Sequence, residues 1–374
     1  MTDIKATRRD VLAGGLAIAA ASVAPHSEAK EMSKENYRCY ELGDQSGIGA
    51  ISMTSRELND PGPGQVVIRT KAAALNYRDL LFAAGQYGQG APTSRIPLSD
   101  GAGDVVAVGY GVTHIQPGDR VTAPHFVNWL DGEFEPSVFA ADLGISADGW
   151  LSEMVTLPAR SLVKLPDGMR YESAAALGVA GITAWRVLEV LGEIKSGDTV
   201  LTLGTGGVSI MALQIASING ARVVITSSSN DKLELAKRLG ADVTINYRET
   251  PDWENAVREA TGGRGADIVV ETVGAATLAQ SIAACAPNAR IGLLGVLAPS
   301  PREMPDLIPM YGMNITVQGV TSGSRRMLEH LLRASAANGM QPHVDKVFGF
   351  DQVIEAYEYL KKAGHVGKVL ISAG

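Results

Sequence analysis

The chain has 374 residues, 45% of them hydrophobic and 20% charged, with a formal net charge of -7. That length provides for two domains with well-filled cores, and the acidic balance carries no electrostatic footprint of a nucleic-acid partner. Two cysteines, Cys39 and Cys285, are too few for a disulfide framework or a cysteine-rich zinc site, so both read as plain thiols.

The first segment carries Lys5, Arg8 and Arg9 ahead of an uncharged apolar run from Val11 to Ala24, followed by small residues at Ser27 and Ala29 before Lys30. Such a run is short for a bilayer span, and residues 1–29 have the layout of a cleavable export signal. The stretch Thr7-Arg8-Arg9-Asp10-Val11-Leu12 resembles a twin-arginine signal, whose export machinery, by that resemblance, delivers folded proteins to the periplasm. Two other readings stand beside it: a retained membrane anchor, or a true start at Met32, which would leave the protein cytoplasmic.

Residues 37–170 read as short strands broken by Gly and Pro, among them "GQVVIRTKAAAL", "GAGDVVAVGYGV" and "PGDRVTAP", which points to an irregular barrel. From Glu172 onward helices alternate with apolar strands expected at 199–203, 222–226, 243–246, 268–271 and 290–294. That alternation implies an α/β fold with a doubly wound parallel sheet. The tail "DQVIEAYEYLKKAGHVGKVLI" predicts an amphipathic helix with Val353, Ile354, Tyr357 and Leu360 on one face, then a final strand returning to the first domain.

"VLTLGTGGVSIMALQIASING" sets Gly204, Thr205, Gly206, Gly207 and Val208 between a strand and an apolar helix. Glycines there allow a tight turn and let backbone N–H groups approach a pyrophosphate at the positive end of the helix. Ser209 stands where the last glycine of G-x-G-x-x-G is usual, so the order strand, turn, helix, strand carries the assignment. After the second strand, where NAD-binding proteins place an acid, the sequence is "TSSSNDK". Ser227 and Ser228 offer hydroxyls and Lys232 a cation, which favours NADP(H), with NAD(H) as the alternative. Equally, these serines can cap the following helix, with Ser228 and Asp231 forming a capping box.

Taken in order, "AALNYRDLLFAAGQYG", "LSDGAGDVVAVG", "PGDRV", "GITAW", "LGTGGVS", "TSSSNDKLELAKRLGAD", "ITVQGV" and "HVGKVLI" resemble the medium-chain dehydrogenase/reductase family. The resemblance implies a GroES-like catalytic domain over residues 37–170, a Rossmann domain over 171–322, and a return of 323–374 to the first domain. It further implies a cleft between the domains and a homodimer. Zinc-type members hold their metal with Cys-x-x-Asp, Gly-His-Glu and a further Cys. This chain has Asn76-Tyr77-Arg78-Asp79, Ser99-Asp100 and Val179 at those places, so no catalytic zinc is expected. His125 is the one histidine near this region.

Without a Lewis acid, a conjugated carbonyl, an enone or quinone, is the expected substrate, since hydride then goes to a carbon remote from the oxygen. The Asn76 amide and the Tyr77 and Tyr87 hydroxyls are the candidate donors to the developing oxyanion. Asp79 and Asp100 are expected to organise neighbouring backbone or an arginine. In "APHFVNWLDGEF", Phe126 and Trp129 would wall an apolar substrate pocket or else stand as incidental aromatics on an exposed loop. By the resemblance, Gly295 and Gly319 would present backbone to the nicotinamide and Lys368 would reach cofactor phosphate. A zinc-free alcohol dehydrogenase or aldehyde reductase, and an exported binding protein that has lost catalysis, are the alternatives.

Overall fold

The eleven-residue strand Gln65–Leu75 organises the first domain of the computed structural model, which describes residues 35–87, 90–295 and 306–373. The expected export signal lies outside these described residues. Along one edge Gln65–Leu75 pairs antiparallel with Asp100–Val108. Its other edge is shared, Met154–Pro158 lying against its first half and the C-terminal strand Lys368–Ser372 against its second. Val344–Gly349 extends the sheet beyond Lys368–Ser372, while Arg120–Thr122 and Val163–Lys164 extend it on the opposite side. The tail therefore completes the first domain, and the register Val369 opposite Leu75 sets Lys368 beside Asn76. Large side chains such as Phe82, Leu98, Trp150 and Tyr357 fill the barrel.

The second domain is a six-stranded parallel sheet in the order Val243–Asn246, Arg222–Ser227, Thr199–Leu203, Ala266–Glu271, Cys285–Leu293, Thr316–Gly319. Every residue of Thr199–Leu203 is buried, because helices cover both sheet faces: Val200 belongs to one apolar cluster and Leu201 to the other. Strand order reverses beside Thr199–Leu203, opening the crevice at the carboxyl ends where such sheets bind ligands.

Several boundaries differ from the sequence reading. The strands expected at 268–271 and 290–294 run Ala266–Glu271 and Cys285–Leu293. On the tail helix Val353–Lys361 the buried face is Val353, Ala356, Tyr357 and Leu360, while Ile354 is 37% exposed. Spacings of three and four residues place Ala356 on that face and turn Ile354 off it. Both cysteines are buried and unpaired, and burial pushes the Cys39 thiol up to about 11 and the Cys285 thiol up to about 12.

Candidate active site

The glycine turn follows Leu203 directly. Gly204 adopts φ +72°, a left-handed conformation that favours glycine. Gly206 has an ordinary φ of -75° and open space where a Cβ would stand, so the folded chain itself does not demand glycine there. A pyrophosphate on the turn would, approaching the first amides of the helix Gly207–Ile218, which has no side-chain cap. The cradle therefore fits a dinucleotide. Ser209, in place of the usual third glycine, is buried and donates its hydroxyl to Leu203 O at 2.6 Å, tying helix to strand. Thr205 is buried, and its carbonyl accepts from Gly367 N at 3.0 Å, which joins the turn to the C-terminal strand.

At the adenosine end, Ser227 is buried and Ser228 partly exposed. The following helix, Asn230–Arg238, starts a residue earlier than expected, with Ser229 as N-cap and no side-chain capping bond, so the Ser228–Asp231 capping box does not form. The Lys232 ammonium donates to Ala363 O at 2.7 Å, and burial lowers its pKa. Two residues missed in the sequence belong here. Tyr247, 40% exposed, donates its backbone N–H to Ser227 O at 3.0 Å. The His365 imidazole is held below its ordinary pKa by burial and then by Lys232 and Lys368, with Asp345 opposing.

The strongest polar cluster centres on Asn76, the N-cap of the helix Tyr77–Ala83. Asn76 N–H donates to Asp79 at 2.7 Å, one half of a capping box. Its side-chain NH2 donates to Asp100 Oδ2 at 2.9 Å, and its Oδ1 accepts from Lys368 Nζ at 2.6 Å. Lys368 also donates to Leu75 O at 2.8 Å and to Asp100 Oδ2 at 3.3 Å, while Asp100 Oδ1 accepts from Val179 N at 2.8 Å. Lys368 and Asp100 are almost fully buried, 2% and 0% exposed.

Lys368 was expected on cofactor phosphate, but its ammonium turns to these three acceptors, and only its stem touches the turn, where a Cβ on Gly207 would come 3.1 Å from its Cδ. Burial is the largest influence on Lys368 and lowers its pKa, and burial raises Asp79 to about 7. Asp79 and Asp100 both hold backbone N–H groups, as the sequence reading anticipated.

Tyr77, beside Asn76, is 47% exposed, whereas Tyr87 lies with its ring centroid 5.5 Å from the Arg78 guanidinium. Arg78 itself pairs with Asp142 at 2.7 Å, and His125 Nδ1 lies 2.8 Å from the same carboxylate oxygen. Burial keeps His125 below its ordinary pKa; burial also pushes Asp142 up, but His125 and Arg78 outweigh it and hold that carboxyl low. The cluster is thus an arginine–carboxylate ion pair with the His125 imidazole beside it.

Phe126 and Trp129, expected as pocket walls, are 0% and 3% exposed. They close on each other and on Phe134, Val138 and Phe139 as a separate aromatic cluster. Gly295 and Gly319 come together at the carboxyl ends of neighbouring strands, since Leu293 pairs with Gly319. Behind them stands Glu271, a buried residue the sequence reading passed over. Its Oε1 accepts from Val273 N, Gly274 N and Thr277 Oγ1 at 2.8–2.9 Å, and Oε2 accepts from Ser281. An acid closing the apolar strand "ADIVVE" was its signal.

The side chains at the three metal places of zinc-type relatives do not make a zinc donor set. Asn76 is held between an ammonium and a carboxylate, Val179 has no donor side chain, and Asp100 is committed to Asn76, Lys368 and Val179.

A Rossmann sheet with a glycine cradle, joined through its C-terminal tail to a GroES-like barrel, defines a nicotinamide-dependent oxidoreductase. Residues 62–167 match the alcohol dehydrogenase GroES-like domain and residues 207–337 the zinc-binding dehydrogenase domain. A zinc-type alcohol dehydrogenase-like protein of Schizosaccharomyces pombe is 42% identical, covering 83% of this chain and 91% of the relative. Acryloyl-coenzyme A reductase of Metallosphaera sedula is 32% identical, covering 85% and 95%. The crystal structure of a putative alcohol dehydrogenase from Sinorhizobium meliloti 1021 superposes with a TM-score of 0.85 at 38% identity, covering 91% of this chain and all of that one. The chain belongs to the medium-chain dehydrogenase/reductase family of NAD(P)-dependent oxidoreductases.

Proposed function

We propose that the protein is a zinc-independent, NADP(H)-preferring reductase of conjugated carbonyl compounds, enones or quinones. The observation that carries this reading is the Asn76 amide clamped between Lys368 and Asp100 at the place where zinc-type relatives have a cysteine ligand. The name of the Metallosphaera relative, a reductase of an unsaturated thioester, points the same way.

Bound NAD(P)H supplies a hydride. The chain's part is to hold charge as it develops on the substrate oxygen. One N–H of the Asn76 amide is committed to Asp100, which leaves the other for that oxyanion. The clamp fixes the amide's orientation, because only oxygen can face the Lys368 ammonium. Tyr77, exposed beside it, brings a hydroxyl that can donate the proton that ends the reaction. The strand Arg222–Ser227 ends without an acid, and Ser228 and Lys232 follow it, which supports a 2'-phosphate.

The test is to follow NADPH oxidation by purified protein, before and after chelator treatment, over quinones, enones and aldehydes. Turnover of the first two classes that survives chelation is expected. Activity abolished by chelation and restored by zinc would overturn the reading, and turnover confined to aldehydes would move it to an aldehyde reductase.

We propose also that the leader sends the protein to the periplasm by the twin-arginine route, folded and already carrying its cofactor, since free nicotinamide nucleotide is scarce outside the cytoplasm. Cofactor bound per chain in protein isolated from the periplasm measures this, and a folded but empty site would count against it.

A further inference from the structure

We propose that Arg186 forms an anion-recognising end of the substrate site, giving it a preference for conjugated carbonyl compounds that carry a carboxylate. The proposal rests on the reductase reading above and names its substrate class further.

The helix Val179–Trp185 begins at the polar cluster, where Asp100 accepts Val179 N–H, and Arg186 follows its last residue. At 1.5 Å per residue the two ends lie about 10 Å apart along the axis, roughly the length of a short unsaturated keto acid with its hydrogen bonds. Arg186 Nη1 donates to Ser322 O at 3.1 Å, and the guanidinium lies 5.0 Å from the centroid of the Trp129 ring.

Neither partner is anionic. Among the described residues no carboxylate pairs with Arg186, and burial alone lowers its pKa. Arg78 and Lys368 differ, Arg78 meeting Asp142 and Lys368 meeting Asp100, whereas Lys232 and Arg120 also donate to backbone carbonyls. A partly buried guanidinium with five N–H donors and one carbonyl acceptor is short of a counter-ion, and desolvating it without one is unfavourable.

Ser322 adds a second observation. Its side chain is buried, and its Oγ has no hydrogen-bond partner. The residue follows Gly319 by three positions, on the segment leading away from the carboxyl edge of the sheet, and adopts φ +59°. A planar carboxylate matches the guanidinium fork and accepts from a hydroxyl as well. With the substrate carbonyl at Asn76 and a carboxylate at Arg186, both ends of a conjugated acid are held.

The experiment is calorimetric titration of the NADP+-loaded full chain with a β-acylacrylate and with its methyl ester. Oxidised cofactor prevents turnover, so the readout is binding. The acid is expected to bind about tenfold to a hundredfold more tightly than the ester. In Arg186→Gln that ratio falls to near one, and in Arg186→Lys, which keeps the charge but loses the fork, it lies between. A ratio near one in the native protein overturns the proposal. So does a ratio unchanged in Arg186→Gln with a lowered melting temperature, which makes the guanidinium a structural anchor for Ser322 and Trp129. Should the acid bind selectively while NADPH reduces neither compound, the anion site stands and the reductase reading falls.

Discussion

Lys368 illustrates how one side chain can serve two half-sites. Its stem packs against Gly207 of the dinucleotide turn, and its ammonium orients the Asn76 amide and neutralises Asp100. The family resemblance pointed to cofactor phosphate alone; the pairing of the final strand supplied the contact with Asn76. Asp79, in the same cluster, makes a measurable consequence. Burial raises its pKa to about 7 in the folded chain, against about 3.9 when unfolded. The folded state therefore holds the proton more tightly, so this group's contribution is fully present below about pH 4 and is lost as pH rises through about 7. Asp79→Asn keeps an acceptor for Asn76 N–H and cannot ionise. Its melting temperature minus that of the native protein should rise by about 3 °C between pH 5 and pH 8. Parallel melting curves across that range would mean that Asp79 is already ionised at pH 5.

At the scale of elements, what the sequence revealed was what is local. The buried strand Thr199–Leu203, the glycine turn and the helix after it follow from consecutive residues, and all three stand where expected. The contact of Lys368 with Asn76 joins positions 292 apart and depends on the register of Lys368–Ser372 against Gln65–Leu75, which no local pattern encodes. Phe126 and Trp129 were recognisable as an aromatic loop, but whether they face a cleft or each other is decided by Phe134, Val138 and Phe139 in the same stretch. Glu271 was signalled only by its place at the end of the apolar strand "ADIVVE", and its role emerges once the loop beyond it closes. That loop, Val273–Gly274, lies against Gly295, where a Cβ would come 2.3 Å from Val273 C. Glu271→Ala strands two buried N–H groups and two hydroxyls and should lower stability by about 3 kcal/mol, read by denaturant unfolding. Glu271→Gln keeps one acceptor oxygen and should lose less. An equal loss in both variants would show that the carboxylate charge, not the loop's donors, sets the effect.

For the whole molecule, the six-stranded sheet has one edge that calls for a partner. Among the described residues Thr316–Gly319 pairs on one side alone, with Cys285–Leu293, and no described strand covers the backbone donors and acceptors along its other side. Directly before it, the helix Ile308–Met313 leaves Ile308 73% and Tyr311 87% exposed, with Leu307 at 45%. An open strand flanked by large apolar side chains is a surface that soluble proteins cover. We propose that a second copy covers it, because a two-fold axis brings identical edges together antiparallel and closes both sheets into one. Asn76 and Lys368 lie in the other domain, whereas Gly319 is the last residue of the edge strand itself. Light scattering of the native protein should give twice the chain mass at micromolar concentration, and Ile308→Lys with Tyr311→Lys should give the single-chain mass while melting remains cooperative. A native monomer, or a dimer that both lysines leave intact, would place the interface elsewhere.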